Sequence, residues 1–121
     1  MRFFRFDAEV RRMIERFGSR KVGVSRIVRS EGLFQAGCMH FDPGGVIGFH
    51  PAGVNQLFLV VSGSGWVRDE TSDRVPIRAG EAVFWEAGEG HESGTETGMT
   101  AIVIEGPGLN PDEWMPPLKD R

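Results

Sequence analysis

Two histidines lie in stretches whose side chains suit a metal ion or a polar ligand. His50 lies in the stretch GFHPAGVNQLFLVVSG, which also contains Gln56, and His91 ends the stretch GEAVFWEAGEGH. Neutral imidazoles, and more weakly an amide oxygen, can ligate Zn, Fe, Mn or Ni. The same residues can also simply hydrogen-bond one another in a polar pocket, so residue type alone leaves both readings open.

The first stretch resembles the first motif of the cupin family. His50, Gln56 and Gly63 stand at the offsets where that family has its first histidine, its glutamate and a turn glycine. Ala52 occupies the position of the family's second histidine. The motif is therefore degenerate, with one ligand position changed to an amide and another lost.

The second stretch resembles the second cupin motif. Gly80, Gly88 and His91 have the spacing of that motif, while Glu86 replaces the usual proline and Thr95 the usual asparagine. The resemblance spans roughly residues 33–105 and identifies the chain as a small, RmlC-like cupin.

The resemblance implies that His50, Gln56 and His91 meet inside a barrel and hold one divalent ion, either Zn, Ni, Mn or Fe. A pocket without any metal is the alternative. Two neutral imidazoles and a neutral amide would leave the ion its full charge of about +2, which makes burial costly. We therefore expect a carboxylate or an anionic ligand to complete such a site.

Other side chains are candidates for that role. His40 is a possible further ligand, and Glu86, Glu92 and Glu105 are carboxylates near or after the second motif. Glu86 and Glu92 are also our candidates for a catalytic base, because a carboxylate beside an ion can accept a substrate proton.

Aromatic residues accompany both stretches. We expect Phe49, Phe58, Trp66 and Phe84 to line a ligand pocket, with core packing as the alternative role for each, as also for Trp85. Along 56–62 the side chains of a strand alternate, so Phe58 should share the face of Gln56. The opposite face then needs cover from a second sheet, the N-terminal segment or a second subunit.

The elements that must position these residues are predicted to be short strands. The chain has 17 glycines and no tyrosine, and turn signals recur between runs rich in Val, Ile and Phe. This pattern is typical of a sandwich or a barrel. Strands are predicted near 22–29, 33–41, 46–50, 56–62, 65–69, 74–78, 82–86 and 99–105. With the resemblance, the expected fold is all-β, a double-stranded β-helix, or jelly-roll barrel.

The N-terminal segment is predicted to contain a short amphipathic helix. Val10, Met13, Ile14 and Phe17 form one helical stripe, which Asp7 could cap and Gly18 could end. We expect one domain over 1–121, divided into an N-terminal strand or helix segment (1–21), the barrel (22–108) and a C-terminal arm (109–121).

Charge and composition bear on partners. The formal net charge is −3, although residues 1–30 carry nine basic and three acidic side chains. Glu9 and Glu15 are interleaved with the arginines, which favours a solvated surface over a nucleic-acid or membrane site. With Cys38 as the single cysteine, no internal disulfide can form. We expect a cytoplasmic homodimer that binds a small molecule.

Three functional hypotheses follow. The first is a small-molecule-binding cupin with a partly degenerate divalent-metal site. The second is a metal-dependent cupin enzyme, of dioxygenase or isomerase type, with a nearby carboxylate as base. The third is a metal-free ligand sensor or assembly module.

Overall fold

The computed structural model describes residues 1–21 and 23–119, and regular structure in this part of the chain is almost entirely β. Its strands are β1 (Arg2–Arg5), β2 (Arg12–Met13), β3 (Gly23–Val24), β4 (Gln35–Phe41), β5 (Val46–Pro51), β6 (Gln56–Asp69), β7 (Val75–Arg78), β8 (Glu81–Trp85), β9 (Gly90–Gly94) and β10 (Met99–Glu105). Two short 3₁₀ turns, Ala8–Val10 and Arg16–Gly18, complete the regular elements. The predicted all-β jelly-roll barrel is confirmed.

The long strand β6 belongs to both halves of the barrel. Its first half lies between β8 and β10 in the order β1-β8-β6-β10-β4, and its second half pairs with β7 and β9, while β5 pairs with β9. The halves meet at Gly63, whose φ is 77° and where a Cβ atom would lie 2.3 Å from the Gly98 carbonyl oxygen. Only glycine fits that position without strain. The stretches predicted as two strands, 56–62 and 65–69, are therefore one strand that bends at this glycine.

The interior of the barrel is a hydrophobic core, as the alternation along β6 predicts. Phe58 and Val60 face inward and pack with residues of the neighbouring strands, among them Val83, Ala101 and Val103. All of these are at most 6% exposed. Gln56, two residues before Phe58, shares this inward face.

The opposite face of β6 has its own cover. Leu57 and Leu59 pack against residues from both ends of the chain, including Phe4, Leu109 and Met115. The first residues form β1, which pairs with β8, and the C-terminal segment lies beyond it, with a bridge between Phe4 and Pro117. Residues from both ends of the described chain thus cover Leu57 and Leu59, as the alternation along β6 required.

The predicted N-terminal helix is wrong. The residues of the predicted stripe form other structure: Arg12–Met13 pair with Gly23–Val24, and Asp7 caps only a 3₁₀ turn by accepting a hydrogen bond from the Glu9 backbone N–H. The predicted apolar stripe is not buried: Met13 is 51% exposed and Phe17 is 92% exposed. Phe17 also has a φ of 61°, outside the helical region.

Two further strand predictions need correction. Within the predicted strand 22–29 only Gly23–Val24 is a strand, paired with β2, and Val22 lies outside the described residues. Strand β9 was not predicted, because its glycines and polar residues resemble a turn. Among the described residues, no helix has the length and apolar character needed to cross a bilayer.

Candidate functional site

A cavity of about 40 Å³ lies inside the barrel, at the end where the two motifs meet. Its polar lining comes from His50, Gln56, His91 and Ser93. Its apolar lining comes from Met39, Ile47, Phe58 and Trp85. The structure therefore brings His50, Gln56 and His91 together around one small space.

His50 reaches this cavity from β5. The register of β5 against β9 shifts between Ile47 and His50, and this irregularity turns both side chains toward the cavity although they are three residues apart. The His50 Nδ1–H donates to the Gly48 carbonyl oxygen at 2.7 Å. Its Nε2 is thereby left with a lone pair that can ligate an ion.

His91 lies directly across the strand pair from His50, and the two ring centroids are 4.6 Å apart. Its Nδ1–H donates to the Glu89 carbonyl oxygen at 3.2 Å, which again leaves Nε2 as the free nitrogen. Burial lowers the pKa of the His91 imidazole, the nearby His50 adds to this, and the Glu89 hydrogen bond and the Glu89 and Glu105 charges oppose it. The neutral form, the one that ligates metals, is thus favoured.

Gln56 is held in place by a carboxylate. It stands in a cross-strand row in which Trp85 of β8, Gln56 of β6 and Glu105 of β10 are direct neighbours. The Gln56 Nε2 donates to Glu105 Oε2 at 3.1 Å, so Oε1 is the amide's remaining acceptor. Glu105 therefore orients the amide and brings a negative charge close to the cavity.

Trp85 forms the floor of the site. It is fully buried, its ring stacks on His91 at a centroid distance of 4.1 Å and an angle of 16°, and it meets Phe58 edge to face. This packing fixes the plane of the His91 ring.

The donor set fits an ion that is held weakly. Two imidazole nitrogens and one amide oxygen can meet in the cavity, but Ala52, buried in the inner core, contributes no ligand. Within residues 1–21 and 23–119 no group of three or more His, Cys, Asp or Glu side chains is arranged to hold a metal ion. The arrangement is thus two imidazoles and an amide around one cavity, with the Glu105 carboxylate bonded to the amide.

The other predicted ligand and base candidates lie elsewhere. His40 is exposed on β4, one residue after the cavity-lining Met39 and so on the opposite face. Glu86 is exposed on the outer surface. Glu92 points away from the cavity between His91 and Ser93, and pairs with Arg68 at 2.6 Å. The structure brings none of the three to the site.

Of the four aromatic residues predicted to line a ligand pocket, the structure places one at this cavity. Phe58 lines the cavity, whereas Phe49 is 45% exposed beneath Arg68, Trp66 packs under Arg74, and Phe84 faces the outer cluster. Trp85 was not among the predicted lining residues. Alternation was the available signal, since only one of two adjacent strand residues can face inward.

Comparison with known proteins supports the barrel fold. The Cupin domain family matches residues 37–105, more than half of the chain. This chain belongs to the cupin family. Among curated proteins it is 30% identical over 108 residues to the (R)-mandelonitrile lyase of Granulicella tundricola, which covers 76% of this cupin and 82% of the lyase.

Solved structures support the fold of this cupin. A cupin superfamily protein of Desulfitobacterium hafniense superposes with a TM-score of 0.57 at 11% identity, covering 66% of this chain and 72% of the other. An RmlC-like cupin of Shewanella frigidimarina also gives a TM-score of 0.57, at 24% identity over 61% of this chain and 66% of its own. These likenesses establish the barrel.

Proposed function

We propose that this cupin binds a divalent metal ion through His50, Gln56 and His91 and presents it to a small-molecule ligand. The observation that carries the proposal is the shared orientation of the two histidines. Each directs its Nδ1–H to a backbone carbonyl and keeps its Nε2 free, and the rings lie 4.6 Å apart at one cavity. This is the way in which metal-binding histidines are usually oriented.

Glu105 supports the proposal on grounds of charge. The three proposed ligands are neutral, so a bound ion would keep most of its charge in a partly buried site. The Glu105 carboxylate, bonded to Gln56 and acting electrostatically on His91, offsets part of that charge without contacting the ion. An ion held there would act as a Lewis acid toward an oxygen of the ligand.

A second candidate function is a metal-dependent lyase. Its support is the 30% identity with the (R)-mandelonitrile lyase, which extends over most of both chains. If the candidate is right, metal-loaded protein releases an aldehyde from (R)-mandelonitrile and His91→Ala abolishes that release. Equal turnover in the metal-loaded and metal-free proteins would contradict it.

We also propose that the chain forms a homodimer through the β4 side of the barrel. Among the described residues strand β4 pairs with β10 alone, which leaves its other edge open, and Leu33 and Phe34 just before it are 90% and 59% exposed. A second copy would cover this apolar edge. Light scattering should give twice the chain mass, and Phe34→Glu should halve it; a monomeric wild type would refute the dimer.

The metal proposal is tested by titrating the chelator-treated protein with Zn, Mn, Ni and Fe(II) in a calorimeter. We expect one ion per chain, and a loss of at least tenfold in affinity for His50→Ala and for His91→Ala. His40→Ala is the matched control, since it removes an exposed histidine outside the cavity. If His40→Ala weakens binding as much as the other two variants, the bound ion is not at this site.

A further inference from the structure

One buried polar atom is left without a partner inside the barrel. Among the side-chain atoms of the described residues, the Trp85 indole Nε1 is the buried nitrogen or oxygen that lacks any hydrogen-bond partner. Trp85 is fully buried and lines the cavity of His50 and His91. Leaving a buried donor unpaired costs free energy, and native proteins rarely keep such a donor without a function.

The neighbours of Trp85 give this donor no acceptor. One ring face is stacked on His91, and Phe58 meets the ring edge to face. Its cross-strand neighbour Gln56 donates to Glu105 and keeps Oε1 as an acceptor, but no hydrogen bond joins that oxygen to the indole. Because the ring is clamped in this way, the N–H has a fixed direction before any ligand arrives.

The cavity also limits what such a donor could bind. Its volume is about 40 Å³, and one water molecule requires about 10–15 Å³ measured in the same way. With an ion beside the histidines, only a compact group of about two or three further non-hydrogen atoms fits, which is the size of a carboxylate. His50, on the exposed side, leaves room for the remainder of a larger ligand to extend outward.

We propose that the Trp85 Nε1–H is a ligand-recognising donor that selects a compact anionic group, a carboxylate by preference, in this cavity. The inference rests on the proposed function, since an ion with three neutral ligands favours an anion as its next ligand. Trp85 is then a specificity-determining residue. It donates to the anion's oxygen from the floor of the site while the anion's other atoms face the histidines.

The first test observes the indole directly by ¹H–¹⁵N NMR of the zinc-loaded and the metal-free protein. The chain has three tryptophans, so three indole signals are expected, and Trp85→Phe identifies one of them. Should that variant fail to fold, Trp66→Phe and Trp114→Phe assign it by elimination. Added formate should shift the Trp85 signal downfield and leave the other two in place. A Trp85 signal that stays still at saturating formate overturns the inference.

The second test measures formate affinity. Trp85→Phe keeps an aromatic ring on His91 but removes the N–H, and we expect it to weaken formate binding about tenfold to a hundredfold. Trp66→Phe is the matched control, because it makes the same change on β6 beneath Arg74, outside the cavity lining. Equal formate affinity in wild type and Trp85→Phe, or no formate binding by the wild type with or without zinc, overturns the inference.

The two proposals fail in different ways. Zinc binding that Trp85→Phe leaves intact, together with a loss of formate affinity, supports both. Absence of zinc binding refutes the metal site, and the comparison of formate affinities in the metal-free proteins still decides the role of Trp85.

Discussion

The cavity lies between two walls of very different character. One, the closed wall, is formed by β8, the first half of β6 and β10, and places Trp85, Gln56 and Glu105 side by side. The other, the open wall, is formed by β4 and β5 and contributes Met39, Ile47 and His50. The four residues of β6 from Leu57 to Val60 are all buried, whereas most residues of β4 and β5 are exposed.

The difference follows from how many neighbours each strand has. β6 has a strand on both sides and hydrophobic clusters on both faces, while within residues 1–21 and 23–119 β4 and β5 each pair with a single strand. Segments with few buried contacts open more readily than those with many. The closed wall therefore holds Gln56 and Trp85 in place before binding, while the exposed His50 of β5 lies on the side from which the cavity is open.

The largest contrast should come from leucine truncation in the two walls. Leu57→Ala removes a fully buried side chain from β6 and should lower the free energy of unfolding by about 2–5 kcal/mol. In the Phe34→Glu background, which the dimer proposal expects to be monomeric, Leu33→Ala removes a side chain that is 90% exposed and should change the free energy of unfolding by less than about 0.5 kcal/mol. Urea denaturation measures both. Similar losses would show that Leu33 is covered within the single chain.

Glycine replacement gives the next contrast. In Gly63→Ala the new Cβ meets the Gly98 carbonyl at 2.3 Å and the φ of 77° is unfavourable, so we expect a loss of about 1–3 kcal/mol or more. Gly37→Ala in β4 meets nothing within 4 Å and should be neutral or stabilise by about 0.5 kcal/mol. The midpoints of thermal unfolding compare the two. A tolerant Gly63 would mean that the bend in β6 can relax.

Glu105→Gln tests whether the closed wall sets the charge of the site. The variant keeps a hydrogen-bond partner for Gln56 but removes the carboxylate, so the fold should be stable and the ion affinity should fall about tenfold. Calorimetric titration with zinc measures the effect. Unchanged affinity would show that the Glu105 charge does not strengthen binding of the ion.

The metal-free protein should lose stability in acid because of His91. Burial holds the His91 pKa below the usual 6.5, so the unfolded chain binds the proton more readily than the fold does. Stability should thus rise with pH between the lowered pKa and about 6.5 and level off above. Urea midpoints across this range test it, and His91→Gln should flatten the profile while His40→Gln should not. A profile that His91→Gln leaves unchanged would contradict this account.

The smallest effect is expected at Glu92. Its ion pair with Arg68 is only partly buried, so Glu92→Gln should cost about 0.2–1 kcal/mol and leave zinc affinity unchanged. Denaturation and zinc titration of the same variant check both statements. A large fall in zinc affinity would show that Glu92 contributes to binding of the ion.

The barrel could be predicted because its signals are local. Short apolar runs and turn glycines indicate the strands, and alternation placed Phe58 inside. The N-terminal segment was predicted only as strand or helix, because the pairing of β1 with β8, far along the chain, is not visible in any local pattern. β9 was missed because polar His91 and Ser93 face a cavity, where a turn-like composition is tolerated.

The site was predictable only in part. The resemblance of the two motifs to cupin motifs predicted that His50, Gln56 and His91 lie close together. Glu105 was one of several candidate carboxylates. Its bond to Gln56 depends on the register of strands 49 residues apart, which no local pattern reveals. The unpaired Trp85 N–H is likewise a property of packing.

X-ray absorption of the zinc-loaded protein tests the metal centre most directly. We predict two imidazole ligands at about 2.0–2.1 Å, with further oxygen or nitrogen ligands completing the shell. His91→Ala should reduce the count to one, and His40→Ala should leave it at two. Zinc bound without imidazole scattering, or a spectrum that His91→Ala does not change, would contradict it.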